Sequence, residues 1–207
     1  LPEHLDLAAP LHAELGLRAT FFLKPDAVLP QIRRWQRVAE QGHEIGNGSL
    51  IGASVNGSLD RWTLRTVEQD LHMTSTFLAD HFGHGTPSSV AIPGPVTTCA
   101  DGCYLPVLQA MFPFVRGPAG DPVDGALPAL AVRTWPDPHL EESPLSGWTI
   151  VAFGPLLVEN DHAILLQRLF LEWVSRKREE LWVAPLAEVG NYAKLHTMQG
   201  QVSSAEV

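Results

Sequence analysis

Cysteine is scarce. Cys99 and Cys103 are the only two in 207 residues, too few for a disulfide framework. Their spacing suits one turn of helix. The pair has no further Cys and no His close by in sequence, so two free thiols come first, a local disulfide second and a metal pair last. Charge is sparse as well, at 18% of residues, and basic charge is in deficit: 14 Lys and Arg against 23 Asp and Glu, a formal net charge of −9. That excludes non-specific capture of nucleic acid or of an anionic membrane, since counterion release needs grouped Lys and Arg. No apolar run approaches the roughly 20 residues of a membrane helix, so membrane insertion is not expected. There is no charged-then-apolar leader and no short repeat of solenoid type. The first residue is Leu, as expected for a processed chain or a fragment, so localisation and oligomeric state stay open.

What is present is an ordinary globular composition, 45% hydrophobic, long enough for one sizeable core. Helical and strand patterns alternate along it. Leu5, Ala8, Leu11 and Leu15 fall at helix spacing, Gly16 follows, and Ala19 to Leu23 reads as a strand. Ile32, Trp35, Val38 and Ala39 repeat the helical pattern, Gly42 ends it, and His43-Glu44-Ile45 begins a second strand. A long helix is marked by Leu64, Val67, Leu71, Thr74, Leu78 and Phe82, with Gly83 after it. Ser89 to Ile92, Phe114 to Arg116, Leu130 to Trp135, Thr149 to Phe153 and Leu181 to Ala184 are further strands. Helices lie near Leu105 to Met111, around Leu165 to Trp173 with Asp161 near the start and Arg176 near the end, and from Leu186 to about Leu195. About seven strands separated by helices predict an α/β protein with a largely parallel sheet. One domain over residues 1–198 with a flexible tail at 199–207 is the expected organisation.

Two segments carry a resemblance. "GLRATFFL" (Gly16 to Leu23) and "GHEIGNGS" (Gly42 to Ser49) resemble the polysaccharide deacetylases of the NodB-homology type, carbohydrate esterase family 4. There a G-x-x-A-T-F-F strand precedes a helix and then G-H-E-I-G-N-H-[ST]-x-x-H. Weaker likenesses follow in order: "AIPGP" (Ala91 to Pro95) to an R-x-P-x-G turn, "GWTIVAFGP" (Gly147 to Pro155) to a late L-x-x-H strand, and "LWVAPLAEVGNY" (Leu181 to Tyr192) to the closing strand and helix. The resemblance implies a distorted (β/α) barrel of seven or eight strands. It also implies a divalent metal such as zinc, held by one Asp and two His, that polarises an acetyl carbonyl and activates water. A second Asp and a late His would move protons.

The chain departs from that pattern where the chemistry would be. Gly48 stands at the first ligand His and Gly52 at the second. Ala91 stands at the Arg, although Pro93 and Gly94 remain. Gly154 stands at the late His. Both acidic residues belong to a T-F-D-D-G strand that would fall ahead of Leu1, outside this sequence. Glycine neither ligates through a side chain nor transfers a proton. The expectation is therefore a catalytically inactive deacetylase-like protein with no metal cofactor and no catalytic residues. Asn47, Gly48, Ser49, Gly52, Ala91, Pro93, Gly94 and Gly154 would line the former pocket, and the role would be carbohydrate-binding or structural and regulatory. The alternative is an active metal-dependent hydrolase with an unrecognised metal site. Without the upstream strand, the barrel is expected to stand open beside Ala19 to Leu23.

The remaining candidates have plainer readings. His43 and Glu44 are neighbours on a strand and point to opposite faces, so they do not form an acid/base pair in one pocket. Asp80, His81 and His84 read as a solvated helix end, and His4 and His12 as surface. His139 and His162 have no spaced partner. Ser49 lacks a G-x-S-x-G elbow, so a turn or wall role is expected rather than a nucleophile. Trp135 and Trp148 are candidates to stack on saccharide rings, with a core or rim position as the plainer reading. Trp35, Trp62, Trp173 and Trp182 are read as core.

Overall fold

A computed structural model describes residues 3–49, 59–83, 85–92, 97–117, 131–135, 148–153 and 161–203. A π-helical turn, His4–Ala8, runs into α1 (Ala9–Glu14), and β1 (Thr20–Leu23) follows. Next come α2 (Pro25–Val28), α3 (Ile32–Glu40) and β2 (Glu44–Asn47). The long helix α4 (Leu64–Phe82) leads to β3 (Ser89–Ala91), a hairpin of β4 (Thr98–Cys99) and β5 (Gly102–Cys103), α5 (Leu105–Met111) and β6 (Phe114–Arg116). The rest comprises β7 (Ala131–Trp135), β8 (Thr149–Phe153), α6 (Asp161–Arg176) and α7 (Leu186–Ser203).

The central sheet has the order β1-β2-β3-β6, all parallel, with Thr20 opposite Glu44, Asn47 opposite Val90 and Ala91 opposite Arg116. β7 and β8 form a separate parallel pair. The helix ends fall where glycine was expected to place them: Gly16, Gly42 and Gly83 have φ of 60°, 87° and 68°, a region that L side chains rarely adopt. Helix α4 also starts on a cap, the Thr63 hydroxyl accepting the Thr66 N–H at 3.2 Å.

Strand alternation divides the sheet into two faces. Phe21, Leu23 and Ile45 join Leu5, Trp35, Val38 and Leu78 in a core under the helices, and Val90 and Val115 join Val67, Leu71 and Leu108 in a second. The alternate residues Thr20, Phe22, Glu44, Gly46, Ser89 and Arg116 face the other side, the interior that β8 and α7 help to enclose. Glu44 organises its floor. Its carboxylate accepts the Thr20 hydroxyl at 2.8 Å, the Ser89 hydroxyl at 2.6 Å and the Ala187 N–H at 2.9 Å, while Thr20 Oγ1 accepts the Leu186 N–H at 2.8 Å. Two strands and the N-terminus of α7 thus meet on one anion, which also suits the helix dipole.

His43 faces the helices instead. It is 5% exposed, packs edge-on to Phe21, and its Nδ1 accepts the Ala19 N–H at 3.1 Å, so that nitrogen carries no proton. Burial, and then the neighbouring His12, push its pKa down to about 4. His12 is buried too, donating from Nδ1 to the Ala8 carbonyl at 2.8 Å, and burial lowers its pKa. The surface reading of His4 and His12 is therefore corrected: the helix carrying them lies on β1 rather than in solvent, and His4 packs against Phe21.

Other expectations are corrected as well. Cys99 and Cys103 sit on antiparallel strands, not one helical turn, and both are free; Cys99 lies opposite Gly102 and Cys103 opposite Thr98. Leu181 to Ala184 joins no ladder, because the chain turns tightly off α6, with the Leu181 N–H returning to the Lys177 carbonyl at 2.8 Å. Trp182 on that segment is 53% exposed rather than core and meets Tyr192 edge-on at 5.0 Å. Trp35 is fully buried, and Trp62 and Trp173 pack against core clusters, as expected. Helix α7 continues to Ser203, beyond the helix end expected near Leu195.

Two outcomes follow. His43 is neutral in the folded chain down to about pH 4 but protonates near pH 6.5 when unfolded. The unfolded state then binds the extra proton, so stability is full above pH 6.5 and falls between pH 6.5 and 4, by about 3 kcal/mol. His43→Asn removes that titration and flattens the urea-midpoint profile across this window; equal profiles for the two proteins would contradict it. Glu44→Ala strands the Thr20 and Ser89 hydroxyls and the Ala187 N–H and is expected to lower stability by roughly 3 kcal/mol in urea denaturation, against a negligible change if these bonds are incidental.

Candidate functional site

The end of β2 carries the motif that the sequence singles out. Asn47 is fully buried and turns outward to α4. Its Nδ2 donates to the Leu71 carbonyl and to Ser75 Oγ, both at 2.9 Å, and its Oδ1 accepts the Ser49 N–H at 2.8 Å. Ser49 is fully buried as well and donates from Oγ to Asp70 Oδ2 at 2.6 Å, with Asp70 also buried on α4. Ser49 has φ of 63°, the left-handed region, at a typical cost of about 1–3 kcal/mol for a residue other than Gly or Asn. The hydrogen bonds to Asn47 and Asp70 hold it there. With Ser49 fully buried, its hydroxyl has no exposure to solvent.

Gly48 lies between these two residues. Its N–H continues the ladder to the Leu23 carbonyl at 3.0 Å. A Cβ built on it would stand 2.8 Å from the Leu23 oxygen and 2.9 Å from the Leu23 carbonyl carbon. Both are backbone atoms of the neighbouring strand end, so no side chain enters without moving β1. The position that the resemblance assigns to a ligand His therefore has neither a donor nor room for one. Among the described residues no three His, Cys, Asp or Glu side chains converge as a metal site. Asp70 is the carboxylate nearest the turn in the hydrogen-bond network, and it is engaged by Ser49. This donor set does not fit a catalytic divalent ion.

The other expected positions divide. Ala91 is buried in β3 beside Arg116 of β6. Asn47 and Ser49 direct their side chains to α4. Gly52, Pro93, Gly94 and Gly154, like His84 and His139, lie outside the described residues, as does the side chain of Trp135. Trp148 does line a cavity.

That cavity, about 810 Å³, lies between β1 and β8 beneath the segment 180–184. It lies beside β1, the strand at one end of the central sheet among the described residues. Its walls are largely apolar, with Phe22, Phe153, Trp148 and Trp182 prominent. Two polar groups in it are unsatisfied. Gln167 is 1% exposed and its Oε1 has no hydrogen-bond partner, and the buried Nε of Arg116 has none either. Arg116 lies 5.5 Å from the Phe22 ring centroid, Nη1 donates to the Gly117 carbonyl at 3.3 Å, and burial pushes its pKa below the ordinary value. Sequence reasoning missed both residues. Gln167 sits in a helix whose buried stripe proves to be Gln167, Phe170, Leu171 and Val174, with Leu165 and Leu169 on the exposed side. An i, i+3, i+4, i+7 count that admitted one Gln would have found it.

No protein-family model matches the chain, and no curated protein matches it by sequence. Solved structures do match. A family 4 acetyl xylan esterase from Clostridium thermocellum, in complex with a cobalt ion, aligns over 91% of this chain and 84% of its own at 16% identity and a TM-score of 0.59. A peptidoglycan deacetylase from Bacillus subtilis aligns over 100% of this chain and 92% of its own, at 15% identity and a TM-score of 0.63. A family 4 pseudoenzyme from Bacillus anthracis aligns over 91% of this chain and 60% of its own, at 14% identity and a TM-score of 0.58. At these identities the likeness is one of fold, and in fold this chain is a polysaccharide deacetylase-like α/β protein of the carbohydrate esterase family 4 type.

Proposed function

We propose that this protein is a non-catalytic member of the deacetylase fold that works by binding, with carbohydrate as the ligand class. The observation that carries the first half is the closed space at Gly48. The resemblance puts a metal ligand there, and the backbone of Leu23 fills the volume that its side chain would need. A deacetylase of this type needs its ion to polarise the acetyl carbonyl and to lower the pKa of the attacking water. Neither Ser49 nor Asp70 replaces it, since both are buried and directed at each other.

The second half rests on the cavity and its aromatic wall. Trp148 offers a flat apolar face of the kind that suits the C–H side of a sugar ring. The similar folds from Clostridium thermocellum and Bacillus subtilis belong to an acetyl xylan esterase and a peptidoglycan deacetylase, both of which act on carbohydrate. The pseudoenzyme from Bacillus anthracis gives the non-catalytic state a precedent in the same fold.

A mutant of that Bacillus anthracis protein has restored enzymatic activity. The same route is not expected here. Gly48→His together with Gly52→His should release no acetate from acetylated xylan or chitin oligomers, and Gly48→Ala alone should cost about 1–3 kcal/mol in urea denaturation through the contact with Leu23. Acetate release by the double mutant, or an unchanged midpoint for Gly48→Ala, would contradict the closed-site reading. In the unmodified protein, stoichiometric zinc, cobalt or nickel whose removal by chelator abolishes acetate release would overturn it in favour of an active hydrolase.

A further inference from the structure

Arg116 is a cation in a poor position. Its Nε is buried without a hydrogen-bond partner, and among the described residues the guanidinium forms no ion pair. The Phe22 ring and the Gly117 carbonyl are its recorded contacts. Arg116 is half-buried, and a cation held partly out of water without a counter-charge weakens the fold that carries it, so an apolar side chain of the same length would serve packing at least as well. Gln167 presents the complementary problem in the same cavity, an amide oxygen at 1% residue exposure with no donor. The cavity supplies neither group with what it lacks. Its charged wall residues Arg18 and Glu180 are taken up at the surface by Glu188 and Lys177, and of its two imidazoles His12 is held by the Ala8 carbonyl and His4 packs against the Phe21 ring.

We infer that the cavity between β1 and β8 is a binding site for a small organic carboxylate that also carries a hydroxyl or amide donor. The carboxylate seats on the Arg116 guanidinium, whose planar donors match it. The donor satisfies Gln167 Oε1. A flat or weakly polar body fills the space between Phe22, Trp148 and Phe153. A volume of about 810 Å³ suits a ligand of one or two rings. This goes beyond the carbohydrate reading: a uronic acid meets both, whereas a hydroxylated aromatic acid meets only the second.

The test is calorimetric titration of the full chain with D-glucuronate, D-glucose and 4-hydroxybenzoate, for the unmodified protein and for Arg116→Met and Gln167→Met. At least one of the two acids is expected to bind at millimolar concentration or better, at least tenfold more tightly than glucose. Arg116→Met should weaken that acid at least tenfold, and Gln167→Met should weaken it by a smaller factor. Melting of ligand-free Arg116→Met separates a binding role from a structural one: an unchanged or higher Tm is expected, because the variant removes a half-buried charge that has no counter-charge among the described residues. Binding of glucuronate supports both this site and the carbohydrate reading. Binding of 4-hydroxybenzoate alone supports the site and sinks the carbohydrate reading. Failure of both acids to bind, glucose binding as tightly as either acid, equal affinity in Arg116→Met, or a ligand-free Arg116→Met that melts lower or does not fold would each overturn the inference.

Discussion

The approach of Gly48 to the backbone of Leu23 is the constraint on which the rest of this end of the sheet depends. With β1 and β2 ending that close together, position 48 admits no side chain. The residues on either side are then committed outward. Asn47 ties the turn to Leu71 and Ser75 of α4, and Ser49 accepts a left-handed φ to reach Asp70. Asn47, Ser49 and Asp70 thus form a buried, hydrogen-bonded polar seam between sheet and helix. A strained serine is more costly than a glycine at such a φ, and it persists because the bonds around it fix it.

Polar ties of the same kind hold the opposite end of the strands. Glu44 gathers Thr20, Ser89 and the start of α7, so the floor of the fold is pinned by a carboxylate rather than by apolar packing alone. His43, one residue away on the other face, is buried neutral under α1. The motif that looks like catalytic sequence is thus spent on architecture from Glu44 to Ser49. Its chemistry-bearing residues each have a structural partner.

The fold was legible in the sequence because its signals are local. Helical spacing, the glycines at 16, 42 and 83, and the runs Thr20 to Leu23 and Glu44 to Asn47 report the chain's own backbone preferences. Leu181 to Ala184 reads as a strand by the same rules and is not one, since pairing depends on whether a neighbour lies within reach. The cysteines were misplaced on a helix because a spacing of four does not distinguish a helical turn from a tight hairpin. The loss of His at 48 was legible; the reason it cannot simply be replaced was not, because it resides in a contact with a strand far away in sequence. Arg116 and Gln167 were invisible for the same reason. An Arg at a strand end and a Gln in an amphipathic helix look ordinary until the fold leaves a buried polar atom of each, Arg116 Nε and Gln167 Oε1, without a hydrogen bond.

The central claim is that residues 47–49 and Asp70 hold no metal ion at the end of β2. Anomalous scattering at the zinc absorption edge, from crystals of the unmodified protein equilibrated with zinc, tests it most directly. The account predicts no anomalous peak within coordination distance, about 2.3 Å, of any atom of residues 47–49 or of the Asp70 carboxylate. A well-occupied peak there, with protein ligands completing its shell, would contradict it.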